Sequence, residues 1–325
     1  MTRAVLLMAY GSPQGPDDVE RYYTHIRHGR PPSDAELQDL LQRYEAIGGV
    51  SPLSAITARQ ALALERRLTT VRTEGDLRVY LGLKHSAPFI GDAIRQMAED
   101  GVAEAVALVL APHYSRMSVG SYLSEAEQAN QSLGSPMVLK PVKSWARHPR
   151  LIELLSQRVT EAFGLFTAQE REALPVIFTA HSLPQRILSE RDPYPEELRA
   201  TGELVAQRLS LTNYTFSWQS AGRTREPWMT PDILEKLSAM ADSGDRQALI
   251  CPAGFVSDHL EVLYDLDIQA QQHARQLGMH IERTRSFNDD PAFIEVLASI
   301  AIDALYTPPR PEERAASRRG DERRG

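Results

Sequence analysis

An α/β architecture with parallel sheets is what this sequence encodes. Short apolar runs rich in β-branched residues recur between longer segments of helical period. Those runs are apolar throughout rather than alternating, which suits strands covered on both faces. The length of 325 residues corresponds to about two domains with a sizeable core.

Taken along the chain, strands are expected at 4–9 (AVLLMA), 77–83 (LRVYLGL), 105–111 (AVALVLA), 176–180 (VIFTA), 214–218 (YTFSW) and 248–251 (ALIC). Ser33 followed by Glu36 reads as a capping box ahead of the helix AELQDLLQRY. ITARQALALERRLTTV and EELRATGELVAQRLSL repeat apolar residues at three- and four-residue spacing, as amphipathic helices do. A further helix is expected over FVSDHLEVLYDLDIQ (255–269), where Asp258, Glu261 and Asp265 share one stripe and Leu260, Leu263 and Leu266 another. The stretch KPVKSWARHP (140–149), with its proline and charge, reads as a domain junction. The expected organisation is a Rossmann-like domain over 1–142 and a second over 143–290. A C-terminal helix over 291–306 would then pack back on the first domain. The tail 307–325 is rich in proline, arginine and glutamate with little to bury, and is expected to be disordered.

Composition excludes several classes. The net charge of −7 argues against a nucleic-acid partner, which calls for a basic face. Cys251 is the only cysteine, so no intrachain disulfide, cysteine zinc cluster or four-cysteine iron–sulfur cluster can form. No segment approaches the roughly 18 apolar residues that span a bilayer. The first apolar run is too short for a signal sequence. A cytoplasmic monomer with no stable membrane anchor is expected.

Each half opens with a strand ending in a reactive side chain, MAY-GSP at Tyr10 and FTAH-SLP at His181. Ligands of open α/β sheets bind beyond the carboxyl ends of the strands, so two such domains face to face would set Tyr10 and His181 on opposite walls of one cleft. Imidazole can accept a proton at neutral pH or bind a metal; it can equally brace a turn. A phenolate can ligate porphyrin iron, or a tyrosine can simply pack at a strand end. The acidic stripe is a solvated helix face when taken alone, although carboxylate and imidazole are also what a divalent iron would meet on entering a site. Arg27, Arg30 and Arg43 could clamp carboxylates, with Ser51 as a further donor. His85 and His113 lie just past strands, where turn-bracing and ligand contact are both open. No dinucleotide fingerprint, Walker A motif or G-x-S-x-G elbow occurs.

Eight segments in order, MAYGSP, RYYTHIRHGRPP, RYEAIGGVSPL, YLGLKHSAPFI, LAPHYS, FTAHSLP, WQSAGRTREPW and GFVSDHLEVLYDLD, resemble the ferrochelatase family over nearly the whole chain to about residue 306. MAYG with Tyr10, followed by RYYTHIR, resembles its bacterial coproporphyrin III branch. The resemblance implies a chelatase-like fold whose two Rossmann-like domains face across a porphyrin cleft. It implies insertion of Fe²⁺, as substrate, into coproporphyrin III in haem biosynthesis, with two protons released and no organic cofactor. A relative acting on protoporphyrin IX and a non-catalytic haem carrier are the alternatives. By the same resemblance His181 meets the metal and removes pyrrole protons, and Glu261 is its partner. Tyr10 lies across the macrocycle and ligates product iron. Arg27, Arg43, Tyr44, Ser51 and Tyr122 hold the porphyrin and its propionates. Asp265 belongs to an acidic step that guides or binds a second ion, implying a regulatory Mg²⁺. Two positions depart from the pattern: Gln269 stands where relatives have a carboxylate, and His28 replaces a second arginine beside Arg27.

Overall fold

The computed structural model describes residues 2–70, 77–171, 174–222 and 224–306; the tail expected from 307 onward lies outside them. Eight strands form two four-stranded parallel sheets. The first holds β1 (Thr2–Ala9), β2 (Leu77–Leu83), β3 (Val102–Val109) and β4 (Val138–Val142) in the order β2-β1-β3-β4. The second holds β5 (Val176–His181), β6 (Tyr214–Gln219), β7 (Gln247–Cys251) and β8 (His280–Arg283) in the order β6-β5-β7-β8. The two orders are the same once β5 is aligned with β1. The two halves thus repeat one topology. In each sheet the order reverses at the first strand, the place where open α/β sheets bind ligands.

Helices cover both faces. Around the first sheet lie α1 (Val19–Ile26), α2 (Asp34–Ala46), α3 (Leu53–Thr70), α4 (Ile90–Glu99) and α5 (Val119–Gln131). After it come α6 (Pro149–Phe163), the single turns α7 (Ala168–Arg171) and α8 (Arg186–Ser189), α9 (Tyr194–Leu209) and α10 (Ile233–Asp242). The last group is α11 (Leu260–Leu263), α12 (Gln271–Gln276) and α13 (Pro291–Tyr306). The capping box is present at α2, where the Ser33 side chain accepts from the Glu36 N–H and the Glu36 carboxylate from the Ser33 N–H.

Alternate residues of β1 enter different cores. Ala4, Leu6 and Met8 pack with α4 and α5, while Val5 and Leu7 join a cluster that continues into Val176, Phe178 and Ala180 of β5 and Phe293, Leu297 and Ala301 of α13. The two sheets therefore share one apolar core. A third cluster lies on the far face of the second sheet. Helix α13 packs on α3, α6, β3 and β4. Lys140 donates to the Leu305 carbonyl at its end (2.9 Å), and Arg67 pairs with Glu295.

Three expectations are corrected. Residues 140–142, assigned to a junction, belong to β4, and β8 has no counterpart among the expected strands. Both are edge strands, where proline and charge are tolerated because one side carries no ladder. The acidic stripe loses its first member, while Glu261 and Asp265 stay four residues apart and Glu261 helps to raise the Asp265 carboxyl. Asp258 precedes the helix and is drawn into a polar pocket, receiving Ser286 (2.7 Å), Asn288 (2.9 Å) and Arg283 (3.2 Å). Helix α11 lasts one turn and then widens into a π-turn over Asp265–Ala270, with the Gln269 N–H bonded to the Tyr264 carbonyl. Such π-turns are frequent at functional sites.

Candidate active site

The carboxyl ends of β1, β2, β3, β5 and β7 converge on one cavity of about 380 Å³. Tyr10 follows β1 directly and His181 ends β5, so the two occupy equivalent places in the two sheets; both line the cavity. The turn after Tyr10 needs glycine, since Gly11 has φ +86° and a Cβ there would collide with the Ser86 hydroxyl. Tyr22 fastens that turn by donating to the Gly11 carbonyl at 3.0 Å. Beside it the His85 N–H bonds the Tyr10 carbonyl, and the two rings lie 4.5 Å apart.

His181 is held in one tautomer. Its Nδ1 lies against the Ser182 carbonyl, which can only accept, so Nδ1 carries the hydrogen and Nε2 keeps its lone pair. Burial holds the imidazole below its ordinary pKa, although the nearby Glu261 charge pulls it back up. It is therefore neutral at neutral pH and can accept a proton or a cation. Glu261 also lines the cavity, with its Oε2 3.2 Å from His259 Nε2. His259 Nδ1 faces the Ser257 carbonyl at 2.8 Å, which turns its Nε2 toward the Glu261 carboxylate. A chain of contacts fixes this segment from the other half of the molecule. Buried Gln60 on α3 donates to Ser257 Oγ (2.9 Å) and to the Asn288 carbonyl (2.7 Å), and Asn288 holds Asp258.

The cavity brings together five of the expected residues, Tyr10, Ser51, Tyr122, His181 and Glu261. Burial raises the Tyr10, Tyr22, Tyr44 and Tyr122 hydroxyls well above the ordinary phenol range, and the Glu261 charge adds to each, so all four are protonated. Tyr44 is buried behind the wall, within reach of the Glu261 and Tyr10 fields. Arg27 and Arg43 do not line the cavity. Arg27 pairs with Glu36 at 2.7 Å; Arg43 pairs with Asp39 at 3.0 Å, approaches Asp265 at 3.8 Å and covers the Tyr264 ring. Asp265 is buried and bonded by the Ser220 hydroxyl, and burial pushes it up to about 6.

Residue-by-residue reading missed Lys84, which lines the cavity at the end of β2. Its ammonium bonds Ser121 Oγ and lies 4.7 Å from the Tyr122 ring, with burial lowering its pKa. His28, with φ +54°, also lines the wall. In the KHSAP segment His85 is the residue whose type suggests chemistry, and nothing local separates Lys84 from a solvated lysine. Trp228 and Phe255 flank His181, each with its ring 6.3 Å away.

The Ferrochelatase family profile matches residues 2–305. The coproporphyrin III ferrochelatase of Anoxybacillus flavithermus is 47% identical over 302 residues, covering 93% of this chain and 96% of that one. The ferrochelatase of Herpetosiphon aurantiacus is 41% identical over 297 residues, covering 91% and 97%. Among solved structures, the cobalt complex of the sirohydrochlorin chelatase SirB from Bacillus subtilis subspecies spizizenii superposes with a TM-score of 0.58 at 10% identity, covering 95% and 97%; this likeness concerns the fold alone.

Proposed function

Because the chain belongs to the ferrochelatase family, we propose that it inserts Fe²⁺ into coproporphyrin III and releases two protons. The observation that carries the reading is the placing of Tyr10 and His181 at matching strand ends on one cavity, with His181 Nε2 unclaimed by any group among the described residues. The relatives that bear the coproporphyrin name support the choice of porphyrin.

The barrier in such a reaction lies in stripping water from the cation and in bending the macrocycle so that its nitrogen lone pairs point outward. Ring distortion of this kind is commonly worth about 1–5 kcal/mol. His181 takes a pyrrole proton on Nε2, and Glu261 supplies the negative charge that steadies both the arriving cation and the imidazolium. Tyr10 covers the opposite face as a neutral phenol, whose proton must leave before its oxygen can ligate product iron. Lys84, Ser51 and Tyr122 are the cavity-lining groups fitted to hold propionates. Arg27 and Arg43 reach a propionate only by exchanging their present carboxylate partners. The reading includes no resident Mg²⁺ at Asp265. That carboxylate is engaged by Ser220 and Arg43, and among the described residues no three His, Cys, Asp or Glu side chains gather as an ion site.

We place the working domains at 1–142 and 143–290, with 291–306 as a clasp between them, in a cytoplasmic monomer; no described helix is long and apolar enough to cross a membrane. An anaerobic Fe²⁺ insertion assay offering coproporphyrin III and protoporphyrin IX side by side tests the substrate. A higher kcat/KM for coproporphyrin III is expected. An equal or higher value for protoporphyrin IX overturns the porphyrin assignment, and no insertion into either overturns the activity.

A further inference from the structure

Gln219 ends β6, is fully buried, and lies outside the cavity lining. Its backbone serves His181. The two residues pair across the β5–β6 ladder, and the Gln219 carbonyl accepts the Ser182 N–H at 2.7 Å. That bond fixes Ser182, whose own carbonyl holds His181 Nδ1.

The Gln219 side chain serves Glu261. Its Nε2 donates to the Glu261 backbone carbonyl at 2.9 Å, and its Oε1 accepts the Thr179 hydroxyl at 2.7 Å. The amide cannot be turned over, because the Glu261 carbonyl can only accept and so requires the NH₂ end. Thr179 stands on β5 two residues before His181. One buried amide therefore ties Glu261 to the strand that carries His181. Neighbouring contacts draw the same segments together. The Gly254 N–H bonds the Thr179 carbonyl at 3.0 Å, an approach that suits glycine, since a Cβ there would fall 2.5 Å from that of Ala180. Ser220, next in the chain, bonds the Asp265 carboxylate. The end of β6 thus cradles the segment from Glu261 to Asp265.

We propose that Gln219 is a positioning residue of this site, setting the separation of the His181 imidazole from the Glu261 carboxylate. On the chelatase reading above, on which this role rests, His181 takes a proton while Glu261 steadies the cation and the imidazolium. That help falls off with distance. A strand end that anchors one residue by its backbone and the other by its side chain holds both to a common reference. Neither Gln219 nor Thr179 lines the cavity, so both act through Glu261.

Gln219→Met keeps the backbone contacts and roughly the length of the side chain but withdraws the amide. His181 stays anchored while Glu261 is released. In the folded variant kcat for Fe²⁺ insertion should fall roughly 10–100-fold, as for a catalytic group misplaced by about 1 Å. Affinity for coproporphyrin III should be unchanged, because the groups that hold propionates are untouched. Thr179→Val, which removes the brace and leaves the amide, should lose less, again in kcat. A double-mutant cycle with Glu261→Gln separates positioning from plain loss of stability. Once that charge is gone, Gln219→Met should cost no more than about 2-fold, whereas independent effects would multiply. The full loss in the Glu261→Gln background, native kcat in folded Gln219→Met, or weaker porphyrin binding at unchanged kcat overturns the proposal. Should Gln219→Met not fold, the same cycle run with Thr179→Val decides. A crystal structure of the variant that folds gives a readout free of turnover. The Glu261 backbone is expected to leave its native place while His181 keeps its bond to Ser182, and an unmoved Glu261 sinks the proposal. Native protein assayed alongside keeps the two readings apart. Insertion by native protein and variant alike removes the role of Gln219 and leaves the chelatase reading intact. No insertion by native protein overturns that reading, and with it this role.

Discussion

His181 has its Nδ1 committed to the Ser182 carbonyl, so its cavity-facing chemistry rests on a single nitrogen. His181→Ala should lower Fe²⁺ insertion by about 10²–10⁴-fold or more while porphyrin still binds, because the groups fitted to propionates lie elsewhere. Steady-state kinetics beside a fluorescence titration with coproporphyrin III checks this; near-native insertion by the folded variant would remove His181 from the mechanism. His181 and Tyr10 were legible in the sequence because each follows an apolar strand at the edge where ligands bind. Arg27 and Arg43 were legible as cations, and Asp39, four residues before Arg43, as a helix partner. Glu36 and Asp265 approach them only when α1, α2 and the π-turn meet. Lys84 was illegible for the converse reason: what distinguishes it is the Tyr122 ring beneath its ammonium and the cavity beyond.

Among elements, reading succeeded where local and tertiary preferences agree. Strands buried on both faces announce themselves by composition, and α2 by its cap. Ser33→Ala should destabilise the protein by about 1 kcal/mol, since it leaves the Glu36 N–H without its acceptor at the helix start. Urea unfolding should show a lower midpoint at unchanged slope; an unmoved midpoint means that solvent replaces the cap fully. Reading failed at the edge strands β4 and β8, whose Lys140, Pro141 and His280 are polar or ring-locked because one flank needs no partner. It failed again at the helix expected over 255–269. Helical period predicts a stripe from spacing alone, whereas Asp258 is pulled aside by Arg283, Ser286 and Asn288 from β8 and the segment after it. No local signal encodes that capture.

On the scale of the whole molecule, the shared core joins the two sheets through α3, α6, α9 and α13, and Phe293 is fully buried at its centre against Trp145 and Phe287. Phe293→Ala should cost about 3–5 kcal/mol. The loss should appear as one earlier transition reported alike by circular dichroism and tryptophan fluorescence. Two separated transitions, only one of them shifted, would mean that the halves unfold independently.

That same helix imposes an order of events on synthesis. Residues 291–306 leave the ribosome after nearly everything they pack against, yet they complete the apolar surface on which α3, β3 and β4 depend. Domains of larger chains generally fold as units, the N-terminal one first, while translation continues. Here the first sheet can assemble early, but one flank stays open to solvent until the final turns of α13 arrive. The nascent chain must therefore carry an exposed greasy face through most of its elongation, a span in which a chaperone has something to hold.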